Sequence, residues 1–271
     1  MQGRFWRFVA AAVLVNVAVA APAEQQIKPV VEQVGEEVRF ITCPIYRDTD
    51  AGRKSGCWLG DRRETGTRFD ITGSPTKPDW NHAVLVEGRV VEGDTQQCGG
   101  VLLEPVRVSV LHDQNCTRHM LPAEGFTGRR FSLPTRNIRP LYEPRELPKP
   151  PYQEKSFDIP FDFGRDYIVY QLSDYYIDKA VKYAIDIDAS RVEITGYAAT
   201  TPTTVSGQTL REPAELALRR AEVAREWLRR MGYPLDRVKI RAQTKAKVSD
   251  MEGADGLTEP SRRRVTLRVI P

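Results

Sequence analysis

The C-terminal part of the chain alternates between strand-like and helix-like hydrophobic patterns. Apolar and polar residues alternate in four segments, which predicts four strands with one wet face each, at 157–163, 191–196, 237–241 and 264–270. Between the strands, apolar residues recur at helical spacing over about 173–186 and again over 216–231. Because each strand has a single apolar face, we expect both helices to cover one side of one sheet in the order βαβαββ, which is an α+β fold.

The second predicted helix carries an arginine on its apolar stripe. The stripe consists of Leu216, Val223, Trp227 and Met231. Arg220 falls on the same stripe, and a guanidinium is rarely taken toward a core unless an anionic group meets it there. The alternative is that Arg220 lies at the edge of the stripe and reaches water. Gly232 and Pro234 predict the end of this helix.

Residues 156–270 resemble the OmpA-like domain, the cell-wall-anchoring module of Gram-negative envelope proteins. The resemblance rests on Ile194-Thr-Gly-Tyr-Ala-Ala199, on the helix Leu216-Ala-Leu-Arg-Arg-Ala221 and on the closing Ser261-Arg-Arg-Arg-Val265. The typical family patterns are a Thr-Gly-His-Thr-Asp turn, a Leu-Ser-x-Arg-Arg-Ala helix and a final Asn-Arg-Arg-Val strand. The resemblance implies an outer-membrane- or wall-associated protein of the periplasm whose partner is the peptidoglycan stem peptide.

The resemblance also implies which residues would bind this ligand. Arg220 takes the place of the arginine that grips a stem-peptide carboxylate, and Arg263 is the arginine of the last strand that would support it. Ala199 stands where the family has an aspartate for the ammonium group of the diamino acid residue. An alanine offers no acceptor, and losing one charge-assisted hydrogen bond costs about 1.5–3 kcal/mol, roughly ten- to a hundredfold in affinity.

Two hypotheses of function follow. Either Arg220 binds peptidoglycan through an arginine–carboxylate clamp that the missing aspartate weakens, or the domain is a structural or protein-interaction component of an envelope assembly. In the second case Arg220 pairs with an internal acid. The polar stretch 245–260 offers acids that would replace the missing aspartate, namely Asp250, Glu252, Asp255 and Glu259. The segment 199–215 reads as a polar loop of turn-forming residues.

The first 20 residues predict a secretory signal peptide. Arg4 and Arg7 precede an apolar stretch that ends in small residues, which is too short for a comfortable membrane span. No other segment of the sequence is apolar enough to cross a bilayer. Loss of the signal peptide lowers the net charge from +4 to about +2. This balance argues against a dedicated nucleic-acid binder. A local basic cluster that would meet an anionic surface consists of Arg225, Arg229, Arg230, Arg262, Arg263 and Arg264.

Residues 24–130 predict a small all-β domain with four long strands, for which an OB-like barrel is our expectation. All four cysteines lie in this domain, at Cys43, Cys57, Cys98 and Cys116. In an exported protein they predict two disulfides with three possible connectivities. We favour the local pairs, Cys43 with Cys57 and Cys98 with Cys116. The alternative is a zinc site at Cys116, which His112 and His119 flank.

A proline-rich segment, 131–155, joins this domain to the OmpA-like domain at 156–271 and predicts a semi-stiff, extended linker. The three histidines all lie in the β domain, outside the Gly-x-Ser-x-Gly, His-Glu-x-x-His and P-loop patterns. We therefore expect a protein that is not an enzyme, with no cofactor and no metal.

Overall fold

The structure is a computed structural model that describes residues 32–51, 55–129, 135–138, 144 and 146–271. The predicted signal peptide lies outside the described residues, and so does part of the predicted linker. Within the described residues the chain forms two main sheets, one before and one after the proline-rich segment. No helix of this part of the chain has the length and apolar character needed to cross a membrane.

The strands of the N-terminal sheet are β1 (Glu37–Thr42), β2 (Ile45–Arg47), β3 (Cys57–Arg62), β4 (Thr67–Asp70), β5 (His82–Val90), β6 (Val101–Asn115) and β7 (His119–Leu121). Their order in the sheet is β1-β5-β6-β4-β3-β2-β7. Alternate residues of β1, β5 and β6 point into an apolar core that includes Phe40, Val86 and Val108. A seven-stranded sheet with β1 and β7 at its edges is not the five-stranded OB-like barrel that we expected.

Two disulfides bond this sheet, but not the local pairs that we favoured. Cys43 bonds Cys116, and Cys57 bonds Cys98. Each bond therefore closes a long loop, of 73 and 41 residues of sequence separation respectively. The local pairing was wrong because strand order, and not sequence distance, decides which cysteines meet. Cys116 has no free thiolate, so the zinc site proposed around it is also excluded.

The main elements of the C-terminal part, in chain order, are β8 (Lys155–Pro160), α1 (Tyr175–Asp186), β9 (Arg191–Tyr197), α2 (Glu215–Arg230), β12 (Val238–Gln243) and β13 (Arg264–Ile270). The four strands form one sheet in the order β12-β9-β13-β8. One π-helical turn, Tyr170–Asp174, leads into α1. Strand β9 alternates between buried and half-buried residues and is parallel to β12 and antiparallel to β13. The helices pack against these strands and against each other, so both lie on one face of the sheet.

Helix α2 buries a different stripe from the one that we expected. Met231 is 49% exposed, and Val223 and Trp227 are only half-buried. The fully buried stripe consists of Leu216, Ala217, Arg220, Ala221, Ala224 and Leu228. Three of these residues are alanines because the helix approaches β9 closely: a Cβ added to Gly196 would lie 1.8 Å from the carbonyl oxygen of Ala217. The helix ends as predicted, with Gly232 in the left-handed conformation.

The segment between β9 and α2 is not a simple loop. It forms a hairpin of β10 (Thr203–Val205) and β11 (Gln208–Leu210). The connecting residues, Ser206 and Gly207, both have positive φ, which is the requirement of a type I′ turn. Val205 and Leu210 are buried against Leu85 and other apolar residues of the N-terminal sheet. The hairpin therefore belongs to the contact between the two sheets.

Candidate functional site

The side chain of Arg220 lies at the centre of the buried stripe of α2 and is fully inaccessible to solvent. Its Nε donates to the carbonyl oxygen of Arg165 at 2.7 Å. Its two terminal nitrogens donate to the carbonyl oxygens of Tyr197, at 2.7 Å, and Asp162, at 3.1 Å. The same two nitrogens also bind both carboxylate oxygens of Glu212, at 2.9 and 2.6 Å. An arginine has five N–H donors, and all five are therefore used within the protein.

Glu212 is the internal acid of this site. Its backbone lies between β11 and α2, and its side chain is fully buried. Besides the two bonds from Arg220, the carboxylate accepts hydrogen bonds from the backbone N–H of Gly164, at 2.9 Å, and of Ala199, at 2.8 Å. The backbone N–H of Glu212 in turn donates to the carbonyl oxygen of Ala199 at 2.9 Å. Four donors around one carboxylate make a complete binding site for an anion.

The surroundings of Glu212 favour the charged form of its carboxyl group. Burial alone would raise the pKa of the Glu212 carboxyl, but the charge and hydrogen bonds of Arg220 outweigh burial and lower it. Arg263 and the N–H of Ala199 lower the pKa of Glu212 further. The three residues that the sequence placed in a ligand site thus do act on one carboxylate. That carboxylate belongs to the protein itself.

Arg263 lies immediately before β13 and is only 1% exposed. Its guanidinium binds both carboxylate oxygens of Glu87, which belongs to β5 of the N-terminal sheet and is 2% exposed. Burial alone would lower the pKa of Arg263, but the Glu87 carboxylate outweighs burial and raises it. Glu87 also accepts a hydrogen bond at 2.9 Å from Nε of Arg39. The second predicted ligand arginine therefore bonds the two sheets together.

Further polar contacts cross the same interface. The hydroxyl of Thr76 donates to the carboxylate of Asp162 at 2.6 Å, and the backbone N–H of Phe163 donates to the hydroxyl of Ser109 at 2.9 Å. Arg107 of β6 forms an ion pair with Asp255. Burial raises the pKa of Asp162, although the bond from Thr76 and the nearby arginines act in the opposite direction. This interface is polar and charged at its centre and apolar beneath the hairpin.

The acids that we proposed in place of the missing aspartate do not reach Arg220. Asp255 is the partner of Arg107, and Glu259 pairs with Arg262 at 3.0 Å. The residues that the sequence interpretation missed are Glu212 and Glu87. Nothing in the spacing of Glu87 points to Arg263, since 176 residues separate them. Glu212 lies eight residues before Arg220. Its position next to Pro213, at the start of the helix, was the one feature of the sequence that pointed to it as a partner of Arg220.

The predicted basic cluster does not form a single patch. Arg229 and Arg230 are exposed on α2 but share Glu226 as an ion-pair partner. Arg262 is partly buried and donates to the carbonyl oxygen of Ala246, and Arg264 lies over the ring of Tyr197. Arg229, Arg230, Arg262 and Arg264 thus each contact a group of the same chain, which disfavours their use as one anionic-surface site. Arg225 is exposed on the same helix.

Comparison with known proteins gives structural matches alone. No protein-family model matches the chain, and no characterised protein matches its sequence. The OmpA-like domain of FopA1 from Francisella tularensis subsp. tularensis SCHU S4 shares 17% identity over 44% of this chain and 73% of its own, with a TM-score of 0.34. The cell wall anchor of the T6SS from Pseudomonas aeruginosa shares 18% identity over 43% and 81%, with a TM-score of 0.30.

A further match extends over almost the whole chain. The periplasmic domain of MotB shares 10% identity over 96% of this chain and 89% of its own, with a TM-score of 0.30. One of these solved structures is an OmpA-like domain, the family that the motifs of the chain resemble. Similarity at this level says nothing about ligand or partner, which have to follow from the geometry of the chain itself.

Proposed function

We propose that this chain is a non-catalytic protein of the periplasm and cell envelope, in which the OmpA-like domain serves as a structural and protein-interaction component. The observation that carries the proposal is the bidentate pairing of Arg220 with Glu212. In the family that the sequence resembles, the corresponding arginine grips a carboxylate of the stem peptide. Here that arginine binds a carboxylate of the protein itself.

A stem-peptide carboxylate would have to displace Glu212 to reach Arg220. Because both side chains are fully buried, displacement would leave the Glu212 anion without its counter-charge. Removing one partner of a buried ion pair costs about 3–5 kcal/mol. That cost corresponds to a loss of affinity of about a hundredfold to several thousandfold. The absence of an aspartate at Ala199 also weakens the binding of this stem peptide. The internal ion pair and the missing aspartate therefore both lower the affinity for peptidoglycan.

The arrangement of Arg263 supports the same interpretation. Its carboxylate partner, Glu87, comes from the N-terminal sheet, so the arginine stabilises the contact between the two halves of the chain. Both arginines that the resemblance assigns to a wall ligand thus have a structural role. The two disulfides agree with an oxidising compartment such as the periplasm.

The test is co-sedimentation of the mature, disulfide-bonded protein with isolated peptidoglycan sacculi, beside an OmpA-like domain known to bind them. The informative variant is the double substitution Glu212→Ala with Arg220→Ala, which removes both charges together. Arg225→Ala is the control, since this arginine is exposed on the same helix. Melting temperatures show that each variant is folded at the assay temperature.

We expect the wild-type chain to stay in the supernatant. If the wild type, the double variant and the control all sediment to the same extent, Arg220 does not contact the wall, and another surface of the protein binds peptidoglycan. If the wild type and the control sediment and the double variant does not, Arg220 is a ligand clamp and the proposal is wrong.

A further inference from the structure

Three side chains with metal-binding atoms meet where β5 begins. Asp79, His82 and His112 bring one such atom each to within 4.8 Å of one another. Nδ1 of His82 lies 2.9 Å from a carboxylate oxygen of Asp79, and the two imidazole rings have centroids 4.8 Å apart. Asp79 and His82 are half-buried, and His112 is exposed.

The backbone around this cluster is held in place by contacts within the chain. The backbone N–H of Asn81 donates to Asp79 at 2.9 Å and fixes the turn before β5. The carbonyl oxygen of Asn81 accepts a bond from the N–H of Cys116, which is disulfide-bonded to Cys43. A rigid support of this kind reduces the reorganisation that ligand binding requires.

The pairing of β5 with β6 is irregular at the same place. His82 pairs with Asn115, whereas the next residue, Ala83, pairs with Leu111, so three residues of β6 bulge out of register and His112 is one of them. Bulges re-aim side chains and are frequent next to functional sites. In the register of the residues that follow, His112 would lie directly opposite His82, so the two imidazoles are cross-strand neighbours at the point where the regular pairing ends.

We propose that Asp79, His82 and His112 form a binding site for a divalent transition metal of the zinc type. Two imidazoles and one carboxylate suit Zn²⁺, and three protein ligands leave a fourth position for water or for an outside ligand. Zinc lies about 2.0–2.2 Å from such atoms, so ligand atoms of a tetrahedral site are about 3.4 Å apart. Zinc binding at this site therefore requires that the Asp79 and His82 atoms, 2.9 Å apart, separate slightly and that the exposed His112 side chain rotates toward them. Imidazole ligands disfavour Mg²⁺ and Ca²⁺, which prefer oxygen.

The experiment is a calorimetric titration of Zn²⁺ into the mature protein, produced with its disulfides, purified without a histidine tag and freed of metal with a chelator. Excess Mg²⁺ in the buffer excludes general attraction to carboxylates. The variants are His112→Ala and, as the control, His119→Ala. His119 is an exposed histidine of the same sheet but lies in β7, outside the cluster.

We expect one Zn²⁺ per chain for the wild type and for the control, and an affinity at least about tenfold lower for His112→Ala. At the same zinc concentration, the melting temperature should also rise more for the wild type and the control than for His112→Ala. Equal binding by the wild type and His112→Ala, or no binding of one equivalent by the wild type, would overturn the proposal. These results are independent of sacculus binding, so either proposal can fail alone.

Discussion

Replacement of Glu212 by alanine is a perturbation for which the structure predicts a large loss of stability. The substitution leaves the guanidinium of Arg220 fully buried with three carbonyl oxygens and no anion. It also removes the acceptor of the N–H groups of Gly164 and Ala199. Loss of one partner of a buried ion pair costs about 3–5 kcal/mol. We therefore expect Glu212→Ala to lower the free energy of unfolding by about that amount, against a total of about 5–15 kcal/mol for a typical protein.

The assay is urea denaturation followed by circular dichroism and by tryptophan fluorescence, since Trp227 lies on α2. The matched control is Glu226→Ala. Glu226 lies on the same helix and also makes a two-pronged pair with an arginine, Arg229, but this pair is exposed to water. Exposed ion pairs contribute little to stability. The control should therefore unfold at nearly the wild-type urea concentration.

Arg220→Ala and the double variant complete a mutant cycle. The double variant should be more stable than the sum of the two single changes allows, with a coupling of up to about 3 kcal/mol, because neither charge is then left alone. The pH dependence has a defined sign. The pKa of Glu212 is lowered in the folded state, so its contribution is complete above the unfolded pKa and is lost as the pH falls through the folded value. If Glu212→Ala is no less stable than Glu226→Ala, the reasoning about this pair is refuted.

Three other expected outcomes test separate parts of the structure. Gly196→Ala should destabilise the chain by about 1–3 kcal/mol or more in urea denaturation, because its methyl group would meet the carbonyl oxygen of Ala217; a stable variant would contradict the close approach of α2 to β9. Asp162→Asn should be at least as stable as the wild type at pH 7, with an advantage that shrinks toward pH 4. Burial raises the pKa of Asp162, so the stability it contributes is lost as the pH rises, and a constant difference across this range would argue against that shift. Removal of either disulfide should cost about 4 kcal/mol by loop entropy, and peptide mapping under non-reducing conditions should find the pairs Cys43–Cys116 and Cys57–Cys98 and no local pair.

Local patterns were sufficient for most of the C-terminal elements. Strand β9 alternates as expected, and helix α2 ends at the predicted glycine. The predicted buried face of α2 was displaced around the helix from the observed one, because the prediction took the most hydrophobic residues as the buried ones. The close approach of α2 to Gly196 instead selects small residues for that face. The hairpin between β9 and α2 was missed because its strands have three residues each and bury their apolar side chains against the other sheet. Such burial is a tertiary effect.

The candidate site shows where sequence interpretation ends. Arg220 was recognised as a charge that needs an anion, and the structure supplies one. Which acid supplies this anion depends on the path of the chain between β11 and α2, and no local pattern specifies that path. The partner of Arg263 comes from another sheet, and the disulfide pairs depend on strand order. These are contacts between residues that are distant in sequence, and they require the fold to be known first.

The most direct test of the central claim is an NMR titration of the mature wild-type protein with a soluble peptidoglycan stem peptide that carries the diamino acid. The backbone N–H groups of Gly164 and Ala199 both donate to the Glu212 carboxylate, so their resonances report on its displacement from Arg220. The account predicts that both resonances stay unchanged at millimolar peptide. Saturable shifts of these two resonances would show that the ligand takes the place of Glu212, and they would contradict the account.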